Sequence, residues 1–310
     1  MRAEAAGGSR EAQAPSAAEP SAAAGAPHTT EIKPTTAADV VYSLPRRAGR
    51  PCLDEVKHRV ACGVSDIHHI SNWCSADEEA ELMRCVDGAA PERWTPLRGR
   101  RLQSLGGLPK APPEMMSREP LPHWVQSVCD SLVACGAFPA ELPPNHVLLN
   151  EYQPGEGIDA HKDGPIYAPC VAILSLNSHA TFQFLDDSPE RAPAASLLLP
   201  PRGVLVFRRD AYEGKLHRVT AVEEDELSAP GLVRLGGIEE AAAAAAEGFL
   251  PRGRRVSLTV RHVLRSVAPH EPPPALPVYV RGEICRGALL RARENPCVNP
   301  ADCQAPVWPK

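Results

Sequence analysis

The stretch Arg255-Val-Ser-Leu-Thr-Val-Arg261 constrains this chain more than any other. Polar and apolar residues alternate strictly through it. An extended backbone therefore puts Arg255, Ser257, Thr259 and Arg261 on one face and Val256, Leu258 and Val260 on the other. Such a strand needs apolar core on one side and a partner for its arginines on the other. A guanidinium turned into a barrel is costly unless paired, and a bound carboxylate pairs it through a bidentate, charge-assisted contact.

The same period of two runs through the chain after Pro144. Leu148, Asn150 and Tyr152 share a face; so do Val171, Ile173 and Ser175, with Ala172, Leu174 and Leu176 opposite; so do Ala180, Phe182 and Phe184. Apolar runs at Ser196–Leu199 and Val204–Phe207 flank the turn Pro200-Pro-Arg-Gly203. Short strands at turn-punctuated spacing predict a mostly β fold, a jelly-roll or cupin-like barrel. Two helices precede it and should pack outside one sheet. Ser75-Ala-Asp-Glu78 has the form of a capping box and starts a helix through Val86. Pro122 starts another, amphipathic through Trp124, Val125, Val128 and Leu132. His68 and His69 read as ordinary strand or loop residues, and Arg93 to Pro113 as a polar loop.

His161 and Asp163 are two apart, so an extended segment points both to one side. With a later histidine they form the two-histidine, one-carboxylate ligand set that leaves positions open on a non-haem Fe(II) for O2. His217 is the preferred third ligand, at a strand start; His179 is the rival, too close in sequence to cross a barrel and return. The competing reading of His161-Lys-Asp-Gly164 is a turn, since Asp-Gly is a turn dipeptide. Arg255 and Arg261 suit a dicarboxylate co-substrate such as 2-oxoglutarate, and Asn150 and Tyr152 can donate to the same oxygens.

The flanks have another composition. Residues 1–50 are rich in Ala, Pro, Gly and Ser and are expected to be a disordered tail, because they cannot offset ordering entropy by burial. Residues 51–267 form the folded domain, with a low-complexity insertion at 223–251 that includes Ala241 to Ala246 and has nothing obvious to pack against. Residues 268–310 form a Pro- and Arg-rich tail. Ten cysteines without a C-x-x-C pair read as reduced thiols. No membrane-spanning run or signal core is present, so a soluble, monomeric protein of the nucleus or cytoplasm is expected. A net charge of −5 does not advertise nucleic-acid binding, although Arg93, Arg98, Arg100 and Arg101 cluster locally.

Asn150-Glu-Tyr-Gln-Pro-Gly155, the His161-x-Asp163 pair, Phe182-Gln-Phe184, His217 and the Arg255–Arg261 strand resemble the AlkB group of Fe(II)/2-oxoglutarate dioxygenases. Trp94-Thr-Pro-Leu97, Arg101-Leu-Gln103 and Gly106-Gly-Leu-Pro109 make the chain most similar to its homologue 6 subgroup. The resemblance implies a double-stranded β-helix with iron on His161, Asp163 and His217 and 2-oxoglutarate on Arg255, Arg261, Asn150 and Tyr152. Ser257 stands where several members have Asn, which shortens or removes one co-substrate contact. It further implies oxidative decarboxylation to succinate and CO2 coupled to hydroxylation of a C–H bond; a hydroxylated N-methyl group then leaves as formaldehyde. The substrate would be single-stranded or damaged DNA or RNA, covered by a lid for which Trp94, Arg100, Arg101 and Gln103 are the candidates. Two alternatives stay open: the same chemistry on a protein side chain or small molecule, and a sensor that binds iron and 2-oxoglutarate without turnover.

Overall fold

Alternation becomes two facing sheets in the computed structural model, which describes residues 42–45, 49–110, 115–245, 248–267, 279–280 and 283–284. Strand β1 (Ile67–Ile70) is followed by helix α1 (Ala76–Asp87), the pair β2 (Thr95–Leu97) and β3 (Arg100–Leu105), the short β4 (Met116–Ser117) and helix α2 (His123–Ala134). Next come β5 (His146–Tyr152), β6 (Ile158–His161), β7 (Cys170–Leu176), β8 (Ala180–Asp186), β9 (Pro193–Leu199) and β10 (Val204–Arg208). The one-turn α3 (Arg209–Glu213) leads to β11 (Lys215–Val219), β12 (Glu224–Glu226) and β13 (Leu232–Arg234). Helix α4 (Glu239–Ala244), β14 (Phe249–Pro251), β15 (Arg255–Arg261) and β16 (Ser266–Val267) complete the order.

A seven-stranded sheet runs β1-β10-β7-β15-β5-β3-β2 and a five-stranded sheet β13-β9-β8-β11-β6. Neighbours are antiparallel except β9 and β13. This is the mostly β, jelly-roll-like arrangement that the alternation predicts, and the double-stranded β-helix that the resemblance implies. The larger sheet serves two cores, one on each face. Its outward residues, among them Leu174, Leu176, Val206, Val256, Leu258 and Val260, meet Leu82 and Val86 of α1 and Val125, Val128 and Leu132 of α2. Its inward residues Val171, Ile173, Leu205 and Phe207 meet Phe182, Phe184, Leu197 and Leu199 of the smaller sheet. Each such side chain, fully buried, contributes roughly 1.5–3 kcal/mol.

The helices start as expected. The Glu78 N–H donates to Ser75 Oγ at 3.1 Å and the Ser75 N–H to Glu78 Oε2 at 2.8 Å, a complete capping box that opens α1. Helix α2 begins one residue after Pro122. His68 and His69 lie on β1. The seven described cysteines are free thiols, and Cys285, Cys297 and Cys303 lie outside the described residues. No described helix is long and apolar enough to cross a membrane.

Three expectations need correction. The segment Arg93–Pro113 is not a loop throughout: β2 and β3 pair across a turn at Gly99, whose φ of +77° favours glycine and whose missing Cβ would lie 2.8 Å from the Gly157 carbonyl oxygen. The insertion at 223–251 does pack. β12 pairs with β14, β13 lies along β9, and Ile238 and Leu250 bury against Leu198. Strands of three residues are too short to display a period, which hid them in the sequence. The tail 1–50 is ordered near its end: Leu44 is buried in the outer core, its N–H donates to Ser127 Oγ at 2.8 Å, and Arg50 pairs with Glu78 at 2.7 Å. The remainder of that tail lies outside the described residues, as does the tail 268–310 apart from Tyr279–Val280, paired antiparallel with Glu283–Ile284.

Candidate metal and co-substrate site

His161 closes β6 and faces His217, its register partner on β11. Asp163 follows two residues beyond the strand end. One potential ligand atom from each of His161, Asp163 and His217 lies within 4.8 Å of the other two. His217 sits in the middle of β11 rather than at its start, its ring stacked on Phe182 at 5.7 Å between centroids. The rival His179 points elsewhere, with Nε2 3.3 Å from both the Leu250 carbonyl and Asp225 Oδ2.

The donor set suits a divalent metal. His161 Nδ1 donates to the Asp159 carbonyl at 2.8 Å, which orients the ring and leaves Nε2 to the cluster. Burial pushes the His161 imidazole below its ordinary pKa and pushes His217 down to about 3, so both are neutral at pH 7 and keep a lone pair. Asp163 Oδ1 accepts from Arg261 Nη2 at 2.7 Å, whereas Oδ2 is buried without a partner. An orphaned carboxylate oxygen beside two neutral imidazoles is the environment that a metal ion satisfies.

A cavity of about 460 Å3 opens onto this cluster, and every residue expected to hold the co-substrate lines it: Asn150, Tyr152, Arg255, Ser257 and Arg261. Register explains the convergence. Arg255, Ser257 and Arg261 on β15 stand opposite Tyr152, Asn150 and His146 on β5. Arg255 is buried; its Nη2 donates to Ser175 Oγ at 2.9 Å, but Nε and Nη1 have no partner. Burial lowers its pKa to about 10, so it stays cationic at neutral pH. A buried guanidinium that lines a cavity and keeps Nε and Nη1 unpaired is suited to receive a carboxylate. Arg261 Nε is likewise unpaired, and its guanidinium lies 4.8 Å over the Tyr167 ring.

Of the four lid candidates, Arg100 alone faces the cavity. Its Nε donates to Asn150 Oδ1 at 3.2 Å. Because β3 alternates, Arg101 and Gln103 point to the outer face. Arg101 makes a two-pronged contact with Glu151, at 2.8 and 3.0 Å, and lies 4.3 Å over the ring of Trp94. Trp94 is buried in the outer core and Gln103 is buried beneath the same face. These three are structural. In their place the cavity wall holds Leu102, Ser104, Leu108 and Pro109.

His146 went unnoticed in the sequence. It is fully buried and lines the cavity. The Ser104 hydroxyl donates to the Gly107 carbonyl at 2.9 Å and so accepts from His146 Nε2, 3.0 Å away, leaving Nδ1 as a buried acceptor without a partner. The signal was its position four residues before Asn150, on the face shared with Leu148 and Tyr152.

The family described as the 2OG-Fe(II) oxygenase superfamily matches residues 66–261, which include the metal cluster and both arginines. The chain is 38% identical over 221 residues to the "Probable RNA/DNA demethylase ALKBH6" of Danio rerio, 68% of this chain and 91% of that protein. It is 24% identical over 214 residues to "Uncharacterized protein L905" of Acanthamoeba polyphaga mimivirus, 67% of this chain and 89% of that one. The solved structure of OsALKBH1 superposes with a TM-score of 0.43 and 18% identity, covering 64% of this chain and 98% of the other.

Proposed function

The chain belongs to the 2OG-Fe(II) oxygenase superfamily, and from that premise we propose that it demethylates nucleic acid oxidatively, with His161, Asp163 and His217 as the iron ligands. The observation that carries this reading is the meeting in one cavity of an orphaned carboxylate oxygen, two neutral imidazoles and the unpaired N–H groups of Arg255 and Arg261. The name of the Danio rerio relative supports RNA or DNA as the substrate.

Bound Fe(II), with 2-oxoglutarate and O2, supplies an oxidant for a C–H bond while the co-substrate loses CO2. The protein's part is positioning. Arg255, braced by Ser175 and covered by Tyr152, receives one carboxylate of the co-substrate. Arg261 holds Asp163 in one orientation and presents its free Nε to the other end. Ser257 lines the wall between them. Leu102, Leu108 and Pro109 give the entrance an apolar edge, and Arg100 adds a cation able to meet a phosphate. A base reacting here must leave its stack, and the aliphatic edge replaces part of the surface it loses.

Methylated single-stranded oligonucleotides and a peptide pool, each incubated with the iron-loaded protein and 2-oxoglutarate, test the proposal by mass spectrometry. Loss of methyl groups from the oligonucleotides with release of formaldehyde is expected. Oxygen gained by a peptide, with every oligonucleotide unchanged, would move the substrate to protein.

A further inference from the structure

A second concavity, of about 500 Å3, shares no lining residue with the metal cavity. It lies where β1, the last strand of the larger sheet, and β13, the last strand of the smaller one, are bridged by residues 51–61. Its polar wall is Lys57, His58, Arg59, His69, Ser71 and Arg234, and no carboxylate lines it. Lys57, Arg59 and Arg234 are exposed and form no ion pair among the described residues. The acids of the flanking segments are committed: Asp54 accepts the Val56 and Lys57 N–H groups, Glu55 pairs with Arg208 and His68, and Glu239 accepts the Gly237 N–H.

His69 is the independent observation. More than nine-tenths buried, it lines the concavity, and its Nδ1 meets Ser71 Oγ at 3.4 Å while Nε2 has no hydrogen-bond partner. The Nε2 end packs beside Gly203, where a Cβ would lie 2.4 Å away, and is not sealed from solvent, so a ligand oxygen can replace a water there. In a chain of net charge −5, three cations around a hollow that no carboxylate lines are a local excess rather than a reflection of composition, with Asp54 offsetting part of the Lys57 charge.

We propose that this hollow is a phosphate-binding site, in which Arg59, Arg234 and Lys57 hold phosphate oxygens above His69 and Ser71. Arginine forks match phosphate geometry, and the His69–Ser71 pair adds one donor: Nε2–H where the hydroxyl donates to Nδ1, or the hydroxyl where Nδ1–H donates to Oγ. The phosphate comes either from a small phosphorylated ligand or from the backbone of a nucleic-acid strand. The site does not depend on the reading of the metal cavity.

The test compares the full iron-loaded chain with its Arg59→Ala/Arg234→Ala double variant by titration with inorganic phosphate, adenosine monophosphate and an unmethylated single-stranded 12-mer. Neither arginine touches the metal cavity, so 2-oxoglutarate decarboxylation and melting temperature should be unchanged. A strand ligand predicts 12-mer binding at least fivefold weaker in the variant. The slope of log K against log salt should be shallower by about 1.4, two contacts at about 0.7 each for a single strand. A small ligand predicts that phosphate and the mononucleotide lose affinity while 12-mer binding is unchanged. Equal binding of all three probes by variant and parent overturns the proposal, as does a variant that loses melting temperature and turnover together with binding.

Discussion

Arg261 donates to one oxygen of Asp163 at 2.7 Å and leaves the other oxygen buried and unpaired. The same guanidinium faces the co-substrate cavity with its Nε free. One arginine would thus fix which carboxylate oxygen a metal meets and would reach toward the co-substrate as well, whereas Arg255 is anchored on Ser175 and makes no hydrogen bond to Asp163.

The two arginines should therefore fail differently. Arg255→Ala is expected to cost about 2–5 kcal/mol of co-substrate binding, at least thirtyfold in KM for 2-oxoglutarate, with Mn(II) affinity unchanged. Arg261→Ala should weaken both. Equal Mn(II) affinity in the two variants, read by titration of the metal-free protein, would show that the Asp163 contact has no bearing on the metal.

His161→Ala, Asp163→Ala and His217→Ala should each abolish metal binding and succinate formation without unfolding the chain. His179→Ala should keep both activities and lose melting temperature, because His179 braces Asp225 and the Leu250 carbonyl. Retention of iron by His217→Ala would reverse this assignment.

How much of this the sequence discloses follows from the length of each pattern. Seven-residue strands such as Arg255–Arg261 repeat their alternation often enough to reveal which residues share a face, and the cavity wall follows from that. The sheet pairing that sets His217 opposite His161 is not local, so the third ligand rested on order along the chain. On β3 the clustering of arginines masked their parity: Arg100 and Arg101 are neighbours in sequence and on opposite faces in space. β12 and β14, three residues each, are too short to repeat their alternation, and the alanine-rich run beside them separates Ile238 from Leu250 in sequence although both meet Leu198.

That parity gives a sharp contrast. Arg100→Ala should weaken binding of a single-stranded oligonucleotide and lower its salt dependence, with little change in stability. Arg101→Ala should do the reverse, costing about 1 kcal/mol through Glu151, which keeps Arg254 as a second partner at 2.7 Å. The comparison needs only a salt series and a thermal melt on each variant. Equal loss of oligonucleotide binding would place both arginines at the entrance.

The segment after β11 should be part of the stable core. Asp225 and Arg252 are both buried and paired at 2.6 Å, and Arg252 also donates to the Thr220 carbonyl. Asp225→Ala leaves that guanidinium buried without its carboxylate, a loss of about 3–5 kcal/mol. Burial favours a raised pKa for Asp225, but Arg252 and His179 outweigh it and hold the carboxyl well below the ordinary range. Its contribution is therefore present above about pH 4 and is lost as pH falls further. Excision of residues 224–246 with unchanged melting temperature would return the segment to a dispensable loop.

His69 predicts an earlier acid response. Burial pushes its pKa down to about 4, against about 6.5 in an unfolded chain. With the folded value depressed, protonation favours unfolding. The contribution of a neutral His69 is whole above pH 6.5 and is lost as pH falls toward 4, about 2 kcal/mol of it by pH 5. Denaturant titrations of the metal-free chain at pH 7.5 and pH 5.0 should show that loss, and His69→Phe, which cannot take up the proton, should lose correspondingly less between the two. Other buried histidines add to the total but are common to both proteins, so the difference isolates this ring. An identical pH response in the two would mean that protonated His69 is hydrated or paired within the folded chain and does not drive unfolding.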